Sequence, residues 1–224
     1  GMAALCCESV WLRRLSLITG SAGISAVVTL SLYMGGLGLG GLWAARRRWR
    51  ATPLGYGVLE LLVAVWAFAF PWILSALLPA LQSTQGVFLT LLLSAPMLLP
   101  PAFLHGATLP ALGPSVKKTK NMAALYAINT VGAVLGVLLS AFWWMPALGI
   151  RGTELLAASI SALVGIVALV LAGRSKGEES TVVQESYPIP WNIVLAAGLA
   201  GGTSMALEII WSRLGALLIG GSVY

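Results

Sequence analysis

Polar side chains are sparse along this chain, and they fall at intervals that leave long apolar runs between them. Seven such runs span about 1–19, 23–44, 53–78, 86–112, 121–145, 151–173 and 190–219. At 1.5 Å per residue, each is long enough to cross ~30 Å of hydrocarbon as a helix. The pattern predicts an all-α integral membrane protein with about seven transmembrane helices.

Two of these runs carry the same text. Glu8-Ser9-Val10-Trp11-Leu12-Arg13, followed by Leu17-Ile18-Thr19-Gly20, returns 200 residues later. The copy reads Glu208-Ile209-Ile210-Trp211-Ser212-Arg213, then Leu217-Leu218-Ile219-Gly220. A Glu, a Trp and an Arg held at one spacing in apolar surroundings mark an internal repeat.

Composition agrees with a membrane protein. Charged residues are 9% of the chain, against roughly 25% in a soluble domain, too few to cover a water-facing surface. There is no Asp, and the acids are Glu8, Glu60, Glu154, Glu178, Glu179, Glu185 and Glu208.

The net charge of +6 would suggest nucleic acid if it formed a patch. Instead, Arg46-Arg47-Arg48-Trp49-Arg50, Lys117-Lys118-Thr119-Lys120, Arg174 and Lys176 follow the second, fourth and sixth runs. Alternation of this kind is a topology signal and places the N-terminus in the cytoplasm. No nucleic-acid partner is expected; the bilayer is.

Six crossings return the chain to its starting side, so the seventh run enters as the first did. The expected organisation is therefore a six-helix transmembrane repeat over 1–173, a cytoplasmic linker over 174–189, and the first helix of a second repeat over 190–224. That is one six-helix repeat of the major-facilitator type plus the first helix of another, the second apparently cut short.

Several motifs sharpen this resemblance. They are the two Glu-x-x-Trp-x-Arg segments, Leu59-Glu60-Leu61, and Phe103-Leu104-His105-Gly106-Ala107-Thr108-Leu109-Pro110. Leu125-Tyr126-Ala127-x-Asn129-Thr130-x-Gly132-Ala133-x-x-Gly136 and Pro146-x-Leu148-Gly149-Ile150-Arg151-Gly152-Thr153 complete the set. Together they resemble the membrane region of bacterial fused major-facilitator/spermidine-synthase-like proteins. The resemblance covers nearly the whole chain and implies a multi-pass protein of the bacterial inner membrane, followed by a soluble aminopropyltransferase-like domain. No cosubstrate motif stands outside the apolar runs, so no catalytic residue, cofactor or enzyme activity is assigned.

Gly36, Gly38 and Gly41 spell G-x-G-x-x-G, but with no strand before them they read as close helix packing. Glu8 and Glu208 lie near midplane, where an ionisable group is costly and faces the bundle interior. Two readings stand for them, with Arg13 and Arg213. One is a buried Glu–Arg clamp between halves; the other is a carboxylate pair lining a central cavity. Glu60 either pairs with a basic loop residue or lines the inner half of a pathway.

His105 lies among Pro96, Pro100, Pro101 and Pro110, which predict a kinked or broken helix. Tyr126 and Asn129 share one face of the fifth helix, either packing or facing the cavity. Arg151 and Glu154 read as a local surface pair. Cys6 and Cys7 read as buried small residues, and a lone His with no ligand spacing supports no metal.

Two functions fit. The first is a transporter-like domain of a spermidine-synthase-like protein, binding a small cation such as a polyamine in a carboxylate-lined cavity. The second is a non-catalytic anchor or accessory subunit of a larger membrane complex. Expected partners are the missing second half, a soluble synthase-like domain, or other membrane subunits.

Overall fold

A computed structural model describes residues 1–47, 53–83, 86–112, 119–174 and 190–219. The side chains of the basic clusters at 46–50 and 117–120, Lys176, and the expected linker from 175 to 189 lie outside the described residues.

All regular structure among the described residues is helical. The helices are α1 (Met2–Thr19), α2 (Ala22–Arg47), α3 (Pro53–Gln82), α4 (Val87–Leu112), α5 (Thr119–Leu139), α6 (Met145–Arg174) and α7 (Trp191–Ile219). A π-helical turn, Ser140–Trp144, joins α5 to α6 without a gap. Counting that run once gives six helices. Helices suit these sequences because hydrocarbon offers backbone amides no other partner.

Five stretches are long and apolar enough to cross a membrane: Ala22–Ala45, Pro53–Gln82, Val87–Leu112, Asn121–Arg174 and Val194–Trp211. Two features separate this count from the seven expected. Glu8, Arg13 and Arg14 put three charges into the 18 residues of α1. The fifth and sixth expected segments form one helical run, bent only at Gly149, where φ 69° and ψ 176° leave the helical region. The helix composition is that of a multi-pass membrane protein.

The chain divides into two compact units, Gly1–Ser180 and Thr181–Tyr224. In the first, α2 packs on α4, α3 on α6 and α4, and α1 on α5, α2 and α6. The second is built on α7 alone among the described residues. The end of α1 is local chemistry: Gly20 takes a left-handed φ of 66° and its N–H caps the Ser16 carbonyl.

Glycines let three helix pairs approach closely, as small residues do in membranes. Gly40 on α2 faces the Phe103 carbonyl of α4, and Gly106 on α4 faces the Leu37 carbonyl of α2. Gly136 on α5 faces the Met2 carbonyl of α1. On α3 and α6 the contact is reciprocal: a Cβ on Gly57 would meet the Gly165 carbonyl oxygen and Leu169, and a Cβ on Gly165 would meet the Gly57 carbonyl oxygen and Leu61, all at 2.9 Å. Gly36 likewise abuts Ala102, so the glycine-rich stretch of α2 packs on α4.

Of the kinked or broken helix expected at α4, the break does not occur. Val87–Leu112 is one helix with Pro96, Pro100, Pro101 and Pro110 inside it. Proline removes the amide that would bond the carbonyl four residues earlier. For Pro101 that carbonyl is Met97, and the Trp66 indole N–H of α3 donates to it at 3.1 Å. A neighbouring helix thus replaces the lost bond, which is how such prolines are tolerated.

The core joins Cys6, Cys7, Val10, Trp11 and Leu15 of α1 to Val28 and Tyr33 of α2, Phe70 of α3, Met97 and Leu98 of α4, and Ala157 of α6. Trp11 stacks on Phe70, with centroids 4.8 Å apart at 12°, and meets Tyr33 edge-on at 6.2 Å. Phe68, Trp72, Phe88, Ile128, Phe142 and Trp143 point outward, an arrangement suited to lipid rather than water.

Candidate functional site

Three polar groupings interrupt the apolar interior of the first unit. The first joins α1 to α6. Arg14 and Glu154 form an ion pair, Nη2 to Oε2, at 2.6 Å. The Trp11 indole donates to the other carboxylate oxygen at 3.0 Å. Glu154 is 1% exposed, so these two donors stand where water would otherwise solvate its carboxylate. Trp11 and Arg14 are three residues apart and thus share one helix face. A buried carboxylate needs such partners to remain charged.

This arrangement corrects the expected Arg151–Glu154 surface pair in one respect: Glu154 is buried and bonds Arg14, while exposed Arg151 acts on it electrostatically. It also adds residues that the sequence did not single out. At the repeat offset Arg14 meets Leu214, so internal symmetry favoured Arg13 and passed over Arg14. A pairing 140 residues apart leaves no local spacing signal. Arg13 is half-buried on α1, with interactions of its own.

The second grouping joins α1, α2 and α4. Tyr33 donates its hydroxyl to the Ala4 carbonyl at 2.7 Å and lies 3.1 Å from Nδ1 of His105. Tyr33 is fully buried and His105 is 7% exposed. Among the described residues, Nε2 of His105 has no hydrogen-bond partner. Glu8, also buried, acts electrostatically on Tyr33. Of the predicted site residues, His105 is therefore joined to Tyr33, which the sequence had not marked.

The third grouping centres on Glu60, buried on α3 near Tyr56 one turn earlier and Ser161 of α6. Glu60 is thus set against hydroxyls, and its expected pairing with a basic loop residue falls on side chains outside the described residues.

The remaining predicted residues sit elsewhere. Tyr126 is exposed on α5 and Asn129 half-buried, so the structure does not bring Tyr126 into the polar interior. Glu208 lies on α7 in the second unit, and the Arg213 side chain lies outside the described residues. Among the described residues, no group of three His, Cys or Glu is placed to hold a metal ion.

Chemically, the interior offers three buried carboxylates: Glu154, which is paired with Arg14, and Glu8 and Glu60. Cys6 and Cys7 are buried as free thiols. Comparison with protein-family models, with curated proteins and with solved structures finds no match to this chain.

Proposed function

We propose that the chain is a transporter-like membrane domain of the major-facilitator type, binding a small cationic solute such as a polyamine between carboxylates. The observation that carries this reading is the burial of Glu8 and Glu60 inside a bundle of membrane-length helices. Ionisable groups at such depth are expensive and mark solute or ion pathways by default.

The helix pairing supports the architecture. Exchanging α1 with α4, α2 with α5 and α3 with α6 converts the α2–α4 contact into α5–α1. It converts α3–α4 into α6–α1 and leaves α3–α6 unchanged, while α1–α2 has no comparable α4–α5 counterpart among the described residues. The reciprocal Gly57–Gly165 contact has the same symmetry, as does the use of Gly36/Gly40 on α2 and Gly132/Gly136 on α5. Nested three-helix inverted repeats have this property. In this reading 1–173 is the first repeat, 174–189 a cytoplasmic linker, and α7 opens a second repeat in which Glu208 is the sequence counterpart of Glu8. The spermidine-synthase-like resemblance and the bacterial inner membrane belong to the same proposal.

The test is uptake of radiolabelled spermidine into proteoliposomes containing the full-length protein. Combined Glu8→Gln and Glu208→Gln substitutions should abolish it; unchanged uptake sinks the proposal. One observation favours the competing reading of a non-catalytic anchor or subunit. The Arg14–Glu154–Trp11 grouping is a satisfied clamp, and stacked aromatics fill the space beside it. Absence of uptake by the unmodified protein, with recovery of a stable multi-subunit complex, would decide for the anchor.

A further inference from the structure

Two arginines converge on one carboxylate. Arg14 of α1 bonds Glu154 at 2.6 Å. Arg151 lies three residues before Glu154, on the same face of α6, and acts on it electrostatically. Glu154 is buried, Arg14 is 18% exposed, and Arg151 is exposed. Two positive charges thus meet one negative charge, and the surplus lies on the outer surface of the bundle. Arg13 has interactions of its own and does not enter this balance.

These groups sit at the end of the bundle where α1 stops at Thr19, α2 starts at Ala22, α3 stops at Gln82, α4 starts at Val87, and the α5–α6 run bends at Gly149. The stretches 9–30, 70–95 and 138–153, which build this end, contain no Asp or Glu. Arg14 is five residues from the end of α1, about 8 Å along the axis. Extended arginine stems therefore bring both guanidinium groups to the depth of lipid phosphates.

The side chains around them are apolar and outward-facing. Leu17, three residues after Arg14 on α1, is exposed, and so is Leu148, which lies against Gly152. Phe142 and Trp143, in the π-helical turn, are exposed as well, and aromatic rings favour the membrane interface. We propose that the headgroup phosphate of an anionic phospholipid such as phosphatidylglycerol sits against Arg151 and the exposed part of Arg14, with its acyl chains along Leu17 and Leu148. One phosphodiester charge offsets the surplus, and a guanidinium offers its oxygens paired N–H donors. A zwitterionic lipid brings a cation along with its phosphate and offsets nothing. The inference is independent of the solute reading, because neither Arg14, Glu154 nor Arg151 contacts the proposed solute.

A bimane label on Leu17→Cys in the full-length protein reads this site; Cys6 and Cys7 are buried and stay unlabelled. The protein is placed in phosphatidylcholine vesicles with increasing fractions of brominated phosphatidylglycerol, or of brominated phosphatidylcholine. Quenching should show phosphatidylglycerol favoured at the label about fivefold or more, the weight of one interfacial charge. Arg151→Gln leaves the buried Arg14–Glu154 pair in place and should bring the two lipids close to equal. Arg151→Lys should keep most of the preference, and Arg174→Gln, at the far end of α6, should leave it intact. Equal quenching by the two lipids in the unmodified protein overturns the proposal. So does a preference that survives Arg151→Gln, or one that falls as much with Arg174→Gln. Glycerophosphoglycerol, the same headgroup without acyl chains, should not displace the lipid; displacement would mean a site for soluble anions and overturns the lipid assignment.

Discussion

Trp66 on α3 hydrogen-bonds the carbonyl of Met97 on α4, the carbonyl that Pro101 leaves without its helical amide. The two helices thus share one repair, and the repair predicts a coupling. Trp66→Phe should destabilise the protein by about 1–3 kcal/mol, since it leaves a carbonyl unpaired in an apolar interior. Pro101→Ala restores the backbone amide, so Trp66→Phe in that background should cost less. Unfolding of the four proteins in mixed detergent micelles gives the double-mutant cycle. Additive effects would show that the indole bond does not compensate for the proline.

The Arg14–Glu154 pair makes a second prediction. Removing one partner strands a buried charge, so Glu154→Ala or Arg14→Ala should each cost about 3–5 kcal/mol. The double change Arg14→Met with Glu154→Leu should recover much of that loss, because no charge is left uncompensated. Detergent unfolding midpoints decide it. A double variant no better than Glu154→Ala would mean that the pair is net stabilising.

The α3–α6 glycine contact predicts a steric asymmetry. Gly57→Ala and Gly165→Ala each put a methyl group 2.9 Å from a carbonyl oxygen, and should lose about 1–3 kcal/mol. Gly35, on α2, has open space where a Cβ would go. Gly35→Ala should be neutral or gain up to about 1 kcal/mol from reduced chain entropy. Equal effects at all three positions in thermal denaturation would refute the close-approach account.

Gly149 predicts a backbone effect. Its φ of 69° with ψ of 176° is accessible essentially to glycine alone. Gly149→Ala should therefore destabilise by about 1–3 kcal/mol or straighten the α5–α6 run. Spin labels at the exposed positions Leu17 of α1 and Val134 of α5 would report a displaced α5 as a changed distance. An unaltered stability and label distance would show that the bend does not depend on glycine.

Much of the helical layout was legible because apolar run length maps directly onto helices in hydrocarbon. The runs at 53–78 and 86–112 reappear as α3 and α4 with small shifts at their ends. The glycine stretch of α2 was readable as packing, because small residues in an apolar helix have few other uses. Pro146 and Gly149, by contrast, suggested a loop. The helix continues through them because one glycine takes up the bend and its neighbours remain helical. The prolines of α4 suggested a break that Trp66 helps to prevent, and a donor on another helix leaves no mark in the local sequence.

The site was legible in one respect and hidden in another. Glu8, Glu60 and His105 stood out because charge or imidazole in an apolar run is costly, whatever the fold. Tyr33 and Arg14 did not stand out. A tyrosine suits membrane helices anyway, and Arg14 stood beside an arginine that the repeat had already marked.

Sequence alone determined that this chain is helical, apolar and built to sit in a bilayer, because those properties follow from residue-by-residue transfer into hydrocarbon. It also determined which costly groups are present. Tertiary structure alone decided which of them are neutralised. Arg14 reaches Glu154 across 140 residues of chain, and Tyr33 meets Nδ1 of His105 from another helix. Partnering between buried polar groups depends on where helices cross, and packing sets those crossings through contacts such as Gly57 against Gly165.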